Sequence, residues 1–194
     1  MKRPPEDLAQ KLIDVSDQFK GTGLDISIDE VAAAADVPRA TLYYYFSGRD
    51  DLVSFFMNDK LDRMHTTVQK AVASEGGPTE RMELVIREVT RKLIEYPVLC
   101  MELPIALRRS DDFTEVMLNA ERTVGAPLRE LLIEGRALGE FDFEDLDVII
   151  TAMNGAVMQV AMMEVLRNPE PDADAVADKL ATAIIRGLAT RSPS

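Results

Sequence analysis

Along nearly the whole chain, hydrophobic positions recur every three or four residues. Strict alternation is almost absent, so the pattern predicts an all-α protein of about nine helices. Leu8, Leu12, Val15 and Phe19 form one stripe of a first helix over about Pro5 to Lys20, ended by Gly21 and Gly23. Ser27 opens a second helix. Ser-Ile-Asp-Glu is a capping box, with Glu30 spaced to return a bond to the Ser27 N–H. This helix, Ile28 to Ala35, is alanine-rich and thin, so a neighbour can pack close. Asp36-Val37-Pro38 turns the chain into a third helix, Arg39 to Tyr45. Ser47, with Asp50 three residues on, caps a fourth helix that continues to about Ala73.

Ser74-Glu75-Gly76-Gly77-Pro78 is the clearest linker. An amphipathic helix follows from Thr79 to Glu95 and breaks at Pro97. The stretch from Pro97 to Arg109 reads as a shorter helix interrupted by Pro104. Asp112 caps a long helix reaching about Ala137, with a bend expected near Pro127. Gly139 to Phe143 reads as a loop, and Asp142 as the cap of a helix running to Arg167. Asn168-Pro169-Glu170-Pro171 breaks the chain again, and Asp172 caps a last helix ending near Ala189.

Apolar residues make up 46% of the 194, enough for a substantial core. No uninterrupted apolar run reaches the length of a membrane span, and the N-terminus has no apolar export segment. A cytoplasmic protein with no membrane association is expected. The lone cysteine, Cys100, allows no internal disulfide and reads as a buried, inert thiol. With one His and one Cys no conventional zinc site forms, and neither a metal nor a cofactor is expected. No Ser-His-Asp set, P-loop or dinucleotide fingerprint occurs, so the sequence points away from an enzyme. His65, on the fourth helix, reads as solvated surface. The net charge of −12 argues against broad coating of nucleic acid, which phosphate neutralisation drives.

Against that acidity stands Val37 to Asp50, VPRATLYYYFSGRD. Three consecutive tyrosines on one short helix point in three directions at about 100° per residue, so at most one or two can be buried. Two short helices joined by a tight turn, the second rich in polar and aromatic groups, make a helix-turn-helix pattern. The span Ile26 to Leu52 closely resembles the DNA-binding segment of the tetracycline-repressor (TetR) family of transcriptional regulators. The resemblance rests on Ser27, the small alanines, the turn at Val37, Thr41-Leu42-Tyr43, Tyr45-Phe46, and the spacing of Ser47, Arg49 and Leu52. It is strong over roughly residues 5–60. Beyond them, LLIEGRALGEF before an acidic helix start is similar to the family's regulatory domain.

The resemblance implies a three-helix DNA-binding domain over 1–50. An effector-binding and dimerisation domain follows over 51–194, with the fourth helix as connector. The implied DNA contacts are Lys2 and Arg3 as an N-terminal arm, then Ser27, Arg39, Ala40, Thr41, Tyr43, Tyr44, Tyr45 and Arg49. Arg39 is the best base reader, because its fork matches guanine O6 and N7. Thr41, Tyr44 and Tyr45 suit phosphates, since a tyrosine hydroxyl donates without carrying charge. Tyr43 suits either a base or a phosphate. Arg49 resembles the basic residue the family places against the backbone, while Leu42 and Phe46 hold the third helix in place. Asp36 stands where the family usually has glycine, and Pro38 where it has a small polar cap. Residues 1–60 carry seven Lys and Arg against eleven Asp and Glu, so binding should be salt-sensitive and dependent on a good operator.

The helix before Arg167 is apolar nearly all round between Val148 and Met163, and the last helix carries a wide apolar stripe. The resemblance implies that these two pair with their copies in a homodimer suited to a palindromic double-stranded operator. The middle helices offer an apolar lining for a small hydrophobic or amphipathic effector: Met82, Ile86, Val89, Leu93, Leu103, Met117, Val124, Met153 and Val157, with Asn154 to fix a polar end. The expected function is a ligand-responsive repressor. The alternative left open by the acidic first sixty residues is a ligand- or protein-binding helical dimer whose helix-turn-helix no longer reads DNA.

Overall fold

The computed structural model describes residues 3–16, 19, 26–106 and 114–189. These are almost entirely helical: α1 (Glu6–Ser16), α2 (Ile28–Ala34), α3 (Arg39–Tyr45), α4 (Arg49–Val72), α5 (Pro78–Glu95), α6 (Pro97–Ala106), α7 (Thr114–Ala120), α8 (Ala126–Ala137), α9 (Leu146–Arg167) and α10 (Ala173–Leu188). A five-residue π turn, Glu121–Gly125, joins α7 to α8. Counted as one bent helix, α7, the π turn and α8 bring the total among the described residues to nine, as the sequence pattern predicts. The bend expected near Pro127 is this π turn. A proline has no N–H to close an ordinary helical turn, and the Ala126 N–H reaches back to the Glu121 carbonyl instead.

The chain packs as two units, residues 1–60 with 96–118, and 61–95 with 119–194. In the first, Leu8, Leu12 and Val15 of α1 meet Ile28, Val31 and Ala32 of α2, then Leu42, Phe46, Leu52 and Phe56. The capping box is formed: Ser27 Oγ accepts from the Glu30 N–H at 3.2 Å, and the Ser27 N–H donates to Glu30 Oε2 at 3.0 Å. The α2–α3 turn closes as a Schellman motif. Asp36 sits at φ 51°, its N–H donating to the Ala33 carbonyl and that of Val37 to Ala32. A short polar side chain tolerates this left-handed conformation, which is why the turn works without glycine. At the start of α4 the Ser47 N–H donates to Asp51 Oδ2 at 2.8 Å, so the return bond comes from Asp51 rather than Asp50.

In the second unit α5 is the central helix and packs on α8, α9 and α10. Its buried stripe includes Met82, Val85, Ile86, Val89, Leu93 and Ile94. The loop after α8 does two jobs here. Glu140 Oε2 accepts from the Thr79 N–H at 3.0 Å and from Thr79 Oγ1 at 2.6 Å, capping α5. Phe141, buried, folds over Gly135, and the Asp142 N–H donates to the Leu188 carbonyl at 3.0 Å. That backbone engagement moves the start of α9. Its cap is Asp145, accepting from the Asp147 and Val148 N–H groups, and not Asp142.

Other expectations are corrected. The first helix is described as far as Ser16, and its expected end at Lys20, Gly21 and Gly23 lies outside the described residues, as do Arg109 and Asp112. The backbone of α6 continues unbroken through position 104 to Ala106. His65 is half-buried rather than surface, with Nδ1 buried. Cys100 is buried, and burial pushes its thiol up to about 11, so it stays protonated at neutral pH. α9 has a mean hydropathy of 1.5 over an 18-residue window and by length and composition alone passes for a membrane span, although polar residues interrupt its apolar run.

A Cβ on Gly135 would collide with the Phe141 ring. Gly135→Ala should therefore cost on the order of 1–3 kcal/mol by overpacking, measured as a fall in the midpoint of urea unfolding. An unchanged midpoint would mean that the loop gives way freely.

Candidate nucleic-acid interface

The seven residues of α3 divide by period. Leu42 is fully buried, as is Phe46 just beyond the helix, and these two side chains fasten α3 to α1 and α2. Tyr45 is half-buried against the same cluster. Tyr43 and Tyr44 stand out at 55% and 61% exposure. Tyr44 and Tyr45 meet edge to face, ring centroids 5.0 Å apart, which fixes their relative orientation without burying the outer hydroxyl. Arg39 and Ala40 are exposed at the start of α3, and Thr41 is half-buried. Helix α3 thus presents Arg39, Ala40, Tyr43 and Tyr44 outward from one short rigid element. Arg3 is exposed, and Lys2 lies outside the described residues. Ser27 is exposed, its hydroxyl engaged with Glu30. Those bonds hold the Glu30 carboxyl below its ordinary value.

The two arginines are not free cations. Arg39 Nη1 donates to Asp29 Oδ2 on α2 at 2.9 Å. Arg49 Nη2 lies 2.5 Å from Glu102 Oε1, and Nη1 lies 3.4 Å from Asp50 Oδ1. Arg49 is only 30% exposed in its side chain and Glu102 only 1%, so a carboxylate of α6 is buried beneath the first residue of α4. Lys60, also buried, makes the second polar link between α4 and the segment before α6. Its Nζ stands 5.3 Å from the Tyr96 ring centroid. Arg49 was expected to touch a DNA phosphate directly. In the chain without DNA, two of its nitrogens are engaged within the protein and its Nε is buried, because the buried Glu102 needs a partner.

Sequence reasoning missed Asp29 and Glu102. A signal for Glu102 was present: it is the lone acid in the apolar run Val98 to Ile105, and a buried acid demands a cation. Nothing local says that the cation is Arg49, fifty-three positions away.

The residues proposed as an effector lining are spread over both units. Met82, Ile86, Val89 and Leu93 are buried on α5, and Met153 and Val157 on α9. Val124 is half-buried in the π turn. All of these belong to the second unit, whereas half-buried Leu103 and Met117 belong to the first. Asn154 is exposed at the edge of the buried face that Met153 and Val157 form on α9, so it does not share their buried surroundings.

Residues 17–54 match the family model of bacterial regulatory proteins of the tetR family. The helix-turn-helix of this chain is of that family. An HTH-type transcriptional regulator of Mycobacterium tuberculosis is 27% identical over 99 residues, which is 50% of this chain and 49% of that protein. The match thus spans about half of either length. The fold is shared with the fatty acid degradation regulator FadR of Bacillus halodurans: TM-score 0.75 and 21% identity over 97% of this chain and 100% of that one. A FadR of Bacillus subtilis, solved in complex with stearoyl-CoA, gives a TM-score of 0.74 at 18% identity over 92% and 98%. The ketosteroid transcriptional regulator KstR2 of M. tuberculosis gives 0.73 at 14% over 98% and 99%.

Arg49→Ala should destabilise the protein by about 3 kcal/mol, the low end for breaking a buried pair because Arg49 keeps some exposure. Pairing it with Glu102→Leu should recover most of that loss. Thermal unfolding of both variants checks this. A stable single mutant would show that Glu102 does not depend on Arg49.

Proposed function

We propose that this chain, a TetR-type transcriptional regulator by its N-terminal segment, acts as a homodimeric, ligand-responsive repressor in the cytoplasm and has no enzymatic role. One observation carries the reading: α3 spends two of its seven positions on exposed tyrosines that follow an exposed arginine, a cost that core packing does not explain. A major groove explains it. Arg39 matches a guanine edge, and the Tyr43 and Tyr44 hydroxyls suit the flanking phosphates. Tyr45 and Thr41, both partly covered, contribute less than the sequence suggested.

A two-fold dimer would place two α3 helices about one helical turn apart on a palindrome. Support for such a dimer comes from α9, where Val148, Ala152, Gly155, Gln159 and Leu166 follow a four-three spacing and are exposed in the single chain. Nothing stands within 4 Å of where a Cβ on Gly155 would lie, so a second helix has room to approach. The effector we propose is hydrophobic or amphipathic and is held in the methionine-bearing interior around α5. Similar folds with a fatty-acid regulator's function and with bound stearoyl-CoA support that class. The effector must bind the DNA-incompetent state more tightly than the DNA-competent one, since otherwise it shifts nothing.

Selection of duplexes from a random pool at moderate salt tests the core of the reading. The wild type should enrich a palindrome that Arg39→Ala no longer enriches. Absence of enrichment even at low salt would overturn it in favour of a ligand- or protein-binding dimer. Tyr44→Phe, which removes one hydroxyl from the surface, should weaken operator binding about fivefold. Gly155→Arg should halve the mass seen by sedimentation, and an unchanged mass would remove α9 from the interface.

A further inference from the structure

We infer that Asp29 is a positioning residue for base recognition: it grips the Arg39 guanidinium by one nitrogen and leaves the opposite edge set to read a guanine. The inference rests on the DNA-reading function proposed above. Asp29 lies in the first turn of α2, and Arg39 is the first residue of α3, ten positions later. The bond from Nη1 to Oδ2 spans the two helices at 2.9 Å. Each end of it is held by something rigid. The capping box fixes the first turn of α2, and the Schellman closure at Asp36 and Val37 fixes how α3 leaves α2. Asp29 Oδ1 is buried, so the carboxylate does not swing freely.

Arg39 is nonetheless 69% exposed in its side chain. Its Nε and Nη2 have no hydrogen-bond partner among the described residues. These two nitrogens form the side-on fork of the guanidinium, the geometry that matches guanine O6 and N7. A side chain held in advance loses less freedom on docking than one that must be ordered by the base. The carboxylate also cancels the arginine's charge. Arg39 therefore adds little to the general attraction for phosphate, which is already weak in a chain of net charge −12. The pair trades affinity for any DNA against discrimination at one base pair. An acid in the first turn of α2 also suits the helix dipole, but that role would touch all DNA sequences alike.

The test uses full-length protein and the duplex selected by the wild type, alongside a duplex with the Arg39-dependent guanine replaced and a scrambled duplex. Asp29→Ala should lose about tenfold of the discrimination at that guanine. It should bind scrambled duplex no more weakly, with a salt slope steeper by about one unit from the released cation. Asp29→Asn keeps an oxygen that accepts from Nη1 and should retain most of the discrimination. In an Arg39→Ala background, Asp29→Ala should change nothing at that position. Circular dichroism of Asp29→Ala and Asp29→Asn confirms that both remain folded. If Asp29→Ala keeps the guanine preference, or weakens all duplexes equally, the positioning role is overturned while the regulator reading stands. If the wild type selects no sequence, both fall together.

Discussion

A helix of seven residues does not hold itself together in water. Its nucleation cost exceeds what two turns return, so α3 exists only because Leu42 and Phe46 are buried against α1 and α2. Burial of two such side chains stabilises the arrangement by roughly 2–3 kcal/mol each. Every other feature of the candidate interface depends on that attachment. With Leu42 and Phe46 pointing inward, the helical period sends Tyr43 and Tyr44 outward and leaves Arg39 at the open end. The same attachment makes the surface rigid, and the Asp29–Arg39 pair has meaning only between two elements that do not move against each other.

On the proposed function an acidic chain meets an acidic polymer, and electrostatics sets the terms. The cations of the interface do not act as a loose positive cloud. Arg39 is matched by Asp29 and Arg49 by Glu102, and the remaining donors on α3 are uncharged hydroxyls. Such a surface gains little from counterion release, the main source of sequence-independent binding. On DNA it would gain instead from hydrogen bonds that exist only when the groove has the right shape and the right bases. The acidity that first argues against DNA is thus compatible with selective binding, and it works against retention on arbitrary sequence.

Local signals were legible in the sequence, and distant partnerships were not. The capping box at Ser27 and Glu30, the left-handed turn at Asp36 and the burial of Leu42 all follow from residues within four positions of each other, where spacing alone sets geometry. The start of α9 was misplaced by three residues because two aspartates compete for the cap. Asp142 loses because its backbone is already bonded to Leu188, a residue far along the chain. Arg49 was read as a phosphate ligand from its place at the opening of α4. That reading had no means of seeing Glu102 arrive from α6. Asn154 was assigned inward because its neighbours are apolar, yet a helix apolar on all sides gives its few polar residues no preferred face.

Helix α9 raises the remaining question of what covers it. Only about a fifth of its most apolar window is buried in the single chain, so either a bilayer or another protein surface must be considered. The pattern of polar residues separates the two. Ile150, Met153, Val157 and Ala161 face α5 and the core, the opposite side carries Gln159 among Val148, Ala152, Gly155 and Leu166, and exposed Asn154 and Thr151 lie at the flank between the two. In hydrocarbon, Asn154 and Gln159 would each leave amide groups unsatisfied at a cost of several kcal/mol. Across the two-fold axis proposed above, the Gln159 amides would meet their own copies and hydrogen-bond, while Ala152 and Gly155 would let the backbones come close. The face is too apolar for open water and too polar for lipid, and the second copy of the chain proposed above is a surface that would satisfy both conditions.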